Sequence, residues 1–264
     1  MIHYKSPSQI ELMRESATLV SRTLALVAEH LKEGVTTKEL DILAEQFIRD
    51  NDAKPGFLGL YGCPSTLLTS INEAVVHGLP TEEPLKNGDI VSVDCGVLKN
   101  GYYGDHAYTF GIGEVAPKTI ELMEVTKESL YKGIEQCIIG KRVGDIGYAI
   151  QQYCEDRGFS VVRTLVGHGL GRKLHEDPQV PNFGEQGRGR TLKRGMTIAI
   201  EPMINVGTYH VEELEDKWTV VTKDREMSAH FEHNVAITSN GPDILSDFKV
   251  IELVIEKNDN LIKV

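Results

Sequence analysis

Cysteine is scarce in this chain of 264 residues: Cys63, Cys95, Cys137 and Cys154 stand far apart without a Cys-x-x-Cys pair. Neither a disulfide framework nor a zinc ribbon is indicated, and reduced, buried thiols are expected. No apolar run approaches the roughly 20 residues that a membrane-spanning helix needs. Positive charge is not in surplus either. A formal net charge of −11 argues against general nucleic-acid affinity, which requires Lys and Arg gathered on one face. The opening residues do not read as a cleavable secretion signal; they lead to Ser8 with Glu11 three residues on, read as a helix capping box, so a cytoplasmic location is expected. Also missing are a Gly-x-Ser-x-Gly elbow, a His-Glu-x-x-His helix and a Gly-x-x-x-x-Gly-Lys phosphate loop. Serine-hydrolase and nucleotidase chemistries drop away with them.

What is present is the balance of a globular protein, 41% hydrophobic and 25% charged. Met13, Ala17, Val20, Leu24, Val27 and Leu31 recur at helical spacing and predict a helix from about Ser8 to Lys32. A second helix is predicted from Thr37, burying Leu40, Leu43, Ala44 and Phe47 and stopped by Lys54-Pro55-Gly56. Ile90 to Val97 reads as a strand, and Asn100-Gly101 as a type I′ hairpin turn. Helices follow over about Lys118–Cys137 and Val143–Arg157, with strands near Ile198–Ile204, Thr219–Thr222 and Phe231–Thr238.

Comparing the chain with itself at an offset of about 106 residues exposes a repeat. Gly34 matches Gly140, Leu40 matches Ile146 and Phe47 matches Tyr153. One residue of slippage later, the segment ending in Asp94 aligns with the segment ending in Glu201, and Asp105-His106 corresponds to Glu232-His233. Each half thus contributes two acids.

With Asn100 and Gly101 at the turn, Asp94 pairs with Ala107 and Gly96 with Asp105, so Asp94 and Asp105 are diagonal neighbours on one face. A carboxylate carried into a sheet interior by Ile90-Val91-Ser92-Val93 costs several kcal/mol if unpaired. Taken singly, each acid has an ordinary reading in a salt bridge or on the surface; together they call for a cation. His168, between Gly167 and Gly169, supplies the other ligand type. Four carboxylates and an imidazole suit two ions of Mn, Fe(II), Co or Zn, the equipment of metal-assisted hydrolysis. His77 and His175 read equally well as a loop turn and a charged surface patch.

These residues, together with Ser70-Ile71-Asn72-Glu73-x-x-x-His77-Gly78, Gly167-His168-Gly169-x-Gly171, Ile200-Glu201-Pro202 and Phe231-Glu232-His233, resemble type I methionine aminopeptidase over almost the whole chain. The resemblance implies an α+β pita-bread fold of the creatinase/aminopeptidase kind. In it, pseudo-twofold halves form a curved, largely antiparallel sheet covered by helices. One catalytic domain over 1–264 is expected, with pseudo-repeats at about 8–115 and 116–250. The implied activity is removal of the initiator methionine from nascent chains when the second residue is small. By the same resemblance Asp94 and Asp105 hold one ion and His168 the other, Glu201 and Glu232 complete or bridge the site, Glu201 accepts a proton, and His77 and His175 orient substrate. Phe57, Leu60, Cys63, Leu68 and Trp218 match the methionine pocket, although Leu60 and Cys63 replace two tyrosines common in bacterial members and Leu68 stands where a cysteine is frequent. Trp218 also has the reading of a core aromatic. Implied partners are amino-terminal Met peptides near the ribosome, with a monomer expected and no membrane. Alternatives are a catalytically silent binding module of the same fold and, more distantly, proline-specific peptidases or creatine hydrolases.

Overall fold

The structure, a computed structural model, describes residues 2–264. Helix α1 spans Pro7–His30, and its six predicted core residues are all buried. Burial of a large apolar side chain is worth about 1.5–3 kcal/mol, so this face anchors the helix. Its cap is not Ser8 with Glu11. Ser6 is the N-cap, its hydroxyl accepting from Gln9 N and Gln9 reaching back to Ser6 N, because Pro7 at the first helical position is pre-set for the helix and lacks the orphan N–H.

Helix α2, Thr37–Asp50, stops four residues before Lys54; Asn51 caps it through the Phe47 carbonyl, and Lys54–Pro55 instead pairs with Leu98 and Val97. Its buried face is also turned from the predicted one, toward Leu40, Asp41, Ala44 and Ile48, leaving Leu43 and Phe47 half-buried. The reason is Asp41, whose carboxylate accepts from Thr66 N and Leu67 N at 2.8 and 2.9 Å. That contact fixes the strand Leu67–Ile71, which places Leu68 opposite Asp94.

The hairpin register is the predicted one: Ile90–Lys99 pairs with Tyr102–Gly111, setting Asp94 against Ala107 and Gly96 against Asp105. Asn100 and Gly101 have φ of 51° and 77°, as a type I′ turn requires. The second half carries helices α3 (Pro117–Ile134) and α4 (Val143–Glu155) and the sheet order Gly241–Ile244, His233–Thr238, Thr197–Ile200, Gly167–Gly169, Glu176–Val180, all antiparallel. A last helix, α5, covers Phe248–Ile255 and packs on α1. The two glycines matched in sequence make matching bonds: Gly34 N donates to the Leu85 carbonyl and Gly140 N to the Leu192 carbonyl.

One predicted strand is broken in the middle and another starts two residues late, after a break. Ile198–Ile204 becomes Thr197–Ile200 and Met203–Asn205, interrupted at Glu201-Pro202; Phe231–Thr238 is paired only from His233, because Phe231-Glu232 separates it from an unpredicted strand, Ser228–His230. Pro202 has no N–H for a ladder. At the second break Glu232 N donates to the Ala107 carbonyl at 3.0 Å, and Asp105 N to the Asn234 side chain at 2.7 Å, so the two half-sheets are joined beside the acids.

Helix α1 presses directly on the strand carrying Asp105. A Cβ at Gly104 would lie 2.6 Å from the Ser16 carbonyl carbon and closer still to Ala17 N. Gly104→Ala is therefore expected to destabilise the protein by about 1–3 kcal/mol, the usual range for overpacking, read as a lower urea midpoint with unchanged slope.

Candidate active site

All five predicted ligands line one cavity of about 1090 Å³, and so do His77, His175, Phe57, Leu60, Cys63, Leu68 and Trp218. Each arrives on a different piece of backbone. Asp94 and Asp105 come from the two arms of the hairpin, His168 from the strand Gly167–Gly169, and Glu201 and Glu232 from the two strand breaks. The glycines flanking His168 allow close approach of neighbouring strands: a Cβ on Gly167 would reach 3.2 Å from the Val180 carbonyl oxygen, and one on Gly169 2.7 Å from the Asp177 carbonyl carbon.

Ligand atoms of Asp105, His168 and Glu232 all lie within 4.8 Å of one another. His168 Nε2 is 3.6 Å from Asp105 Oδ2 and 3.7 Å from Glu201 Oε1. Its Nδ1 contacts the Gly169 carbonyl at 2.9 Å, and a carbonyl only accepts, so Nδ1 carries the proton and Nε2 turns a lone pair toward carboxylate oxygens. Protonating Nε2 would resolve this, but burial lowers the His168 pKa to about 4.

The acids tell the same story. Asp94 Oδ1, Asp105 Oδ1 and Glu232 Oε1 are buried without a hydrogen-bond partner among the described residues. Burial pushes Asp94 up from 3.8 to about 7. Burial, then the charges of neighbouring acids, holds Asp105, Glu201 and Glu232 well above the carboxylate range. Unpartnered acceptors of hard and borderline type converging on one volume fit divalent cations.

His77 is half-buried and sits at φ 60°, a backbone region costly for a non-glycine residue. Gly78, next to it, pins the turn, since a Cβ there would lie 2.9 Å from the Thr69 carbonyl carbon. His175 is at the rim, its ring 4.4 Å from that of His168 in an edge-on contact. Burial lowers the pKa of both His77 and His175, so both are neutral at pH 7.

Beside this polar centre lies an apolar pocket. Phe57, Cys63, Leu68 and Leu174 are its buried members, with Leu60, Leu79, Tyr103 and Trp218 half-buried around them. Leu68 is opposite Asp94 in the sheet and Leu174 adjoins His175, so pocket and acids share a wall. Leu79, Tyr103 and Leu174 escape sequence reasoning. Only sequence proximity signals them, of Leu174 to His175, of Leu79 to His77 and of Tyr103 to Asp105. Tyr61 escapes it too: at φ 52°, between Gly59 and Gly62, it stacks on His175 with centroids 5.8 Å apart. Tyr61 thus adds an aromatic ring to the cavity beside that of Phe57, between the non-aromatic Leu60 and Cys63.

Residues 11–239 match metallopeptidase family M24. The methionine aminopeptidase of Clostridium perfringens is 52% identical over 249 residues, covering 94% of this chain and 100% of that protein. The crystal structure of methionine aminopeptidase from Rickettsia prowazekii matches with a TM-score of 0.92 at 43% identity, covering 94% of this chain and 100% of that one. The prolidase from Pyrococcus furiosus, at 23% identity and a TM-score of 0.75, covers 92% of this chain and 65% of its own and shares the fold. The architecture is the expected pita-bread one, and the chain belongs to metallopeptidase family M24, among its methionine aminopeptidases.

Proposed function

We propose that the chain is a metal-dependent aminopeptidase that removes the initiator methionine from new proteins whose second residue is small. The observation that carries this reading is the juxtaposition of buried, unpartnered carboxylate oxygens with an apolar pocket in one cavity.

Asp94, Asp105, His168, Glu201 and Glu232 would hold two divalent ions, since two such ions balance four carboxylates; Mn, Fe(II), Co and Zn all suit the donor set. Bound there, the ions supply a lowered pKa for water at the attack position and polarisation of the carbonyl. Glu201 would take the proton released during attack and return it to the departing amine. His77 and His175, neutral at pH 7, orient the peptide and donate hydrogen bonds to its carbonyl oxygen. Phe57, Leu60, Cys63, Leu68 and Trp218, with Leu174, enclose the flexible thioether side chain. No helix among the described residues is long and apolar enough to cross a membrane. We place the protein in the cytoplasm, as a monomer acting on nascent chains near the ribosome.

The test is release of methionine from Met-Ala-Ser by metal-stripped protein given Mn, Fe(II), Co or Zn, beside the Leu, Pro and amino-acetylated counterparts. Metal-dependent cleavage of the free Met peptide alone is expected. Bound ions without cleavage would instead mean a silent binding module, and faster cleavage of another first residue would mean a redirected pocket. His175→Ala is expected to lower kcat by roughly 100-fold, within the range for a positioned proton donor, while metal-binding isotherms stay as they are. In the metal-free fold Asp94 keeps its proton to about pH 7 rather than 3.8. A raised carboxylate pKa means that the unfolded chain loses this proton first, so metal-free stability falls as pH rises through that window. Metal binding removes those protons, so calorimetry near pH 6 in buffers of different ionisation enthalpy should show proton release, and the metal-loaded protein should lack the decline.

A further inference from the structure

Lys5 and Glu176 form a buried ion pair at the edge of the active-site cavity, linking residues 171 positions apart. The Lys5 Nζ lies 2.7 Å from Glu176 Oε2, and the two side chains are 5% and 6% exposed. The lysine is held from its own side as well. Its backbone N donates to the Gly195 carbonyl at 2.7 Å, and the next residue, Ser6, is the N-cap of α1.

The carboxylate partner belongs to the turn that carries His175. While Glu176 Oε2 faces Lys5, its Oε1 accepts from Lys173 N at 3.2 Å, so one carboxylate closes the turn from Lys173 to Glu176 around His175. Gly171 opens that turn, its N donating to the Lys173 carbonyl and its own carbonyl accepting from Tyr103 N. Its lack of a Cβ leaves room for the ion pair, since a Cβ there would meet Lys5 Cε at 2.5 Å and Glu176 Oε1 at 2.8 Å and push the pair aside. The His175 ring is touched by the rings of His168 and Tyr61. No side-chain hydrogen bond to that ring occurs among the described residues, so the backbone of the turn sets where it stands.

We propose that Lys5 is a positioning residue: through Glu176 it clamps the turn that aims His175 at the peptide. This rests on the reading above that His175 acts on substrate. A buried ion pair is seldom needed for stability, since apolar residues of similar volume usually serve as well. Its use here is geometric. A small displacement of a substrate-orienting group lowers turnover steeply while leaving ground-state binding and metal affinity largely intact.

The experiment compares Mn-loaded wild type with Lys5→Arg, Lys5→Met and the double variant Lys5→Met/Glu176→Met, measuring kcat and KM on Met-Ala-Ser, Mn-binding isotherms and urea midpoints. Lys5→Met should lose about tenfold or more in kcat, with KM and Mn affinity within about twofold of wild type. Lys5→Arg, which keeps the charge, should recover most of that loss. Lys5→Met leaves a lone buried carboxylate and is expected to fold less stably, whereas the double variant should regain the wild-type urea midpoint and still turn over slowly. A double variant that regains kcat together with stability would overturn the proposal, as would a folded Lys5→Met protein with wild-type kcat. An inactive wild type would defeat the aminopeptidase reading instead, so the two failures are distinct.

Discussion

Burial of Asp94, Asp105, Glu201 and Glu232 together, and the repulsion it brings among their charges, governs the middle of this protein. These acids share the wall of one cavity with His168, and three of their oxygens lack a hydrogen-bond partner among the described residues. Charges placed so close in a poorly hydrated interior lose solvation and repel, and the cost reaches several kcal/mol per ion without a compensating cation. The backbone has to hold them regardless. It does so through bonds across the two halves, Glu232 N to the Ala107 carbonyl and Asp105 N to Asn234, so that the acids sit where the half-sheets are tied together.

The same requirement accounts for the interruptions in the strands. A regular strand sends successive side chains to opposite faces. Leaving the ladder at Glu201-Pro202 and again at Phe231-Glu232 frees each carboxylate from that alternation, and the chain rejoins a different sheet on the far side. Outside this centre the packing is ordinary, with α1 against the hairpin and α2 locked to the later strand Leu67–Ile71 through Asp41.

Polar and apolar functions then divide along one wall. Leu68 faces Asp94 across a strand pair, and Leu174 precedes His175 in a turn, so the apolar pocket and the polar centre are built on shared backbone. Tyr61 stacked on His175 and the Lys5–Glu176 pair behind it show how much of that wall is held from its rim.

Much of this was legible in the residues. The apolar stripe of α1 and the hairpin register that sets Asp94 beside Asp105 both follow from local rules: helical and strand periodicity, and the turn geometry of Asn100-Gly101. Capping was read two residues late, because Pro7 outweighed the Ser8 and Glu11 pattern. The rotation of α2 toward Asp41 and the loop placement of Tyr61 were not legible, since each depends on a partner distant in sequence or on a backbone conformation that residue type alone does not dictate. By itself, then, the sequence determined the elements, the register and the list of ligand-type residues, because these rest on short-range periodicity. Tertiary structure alone decided which lone pairs face one another, where the strands break, and that a lysine at the start of the chain braces a histidine turn far along it, because burial and approach distance are properties of the packed whole.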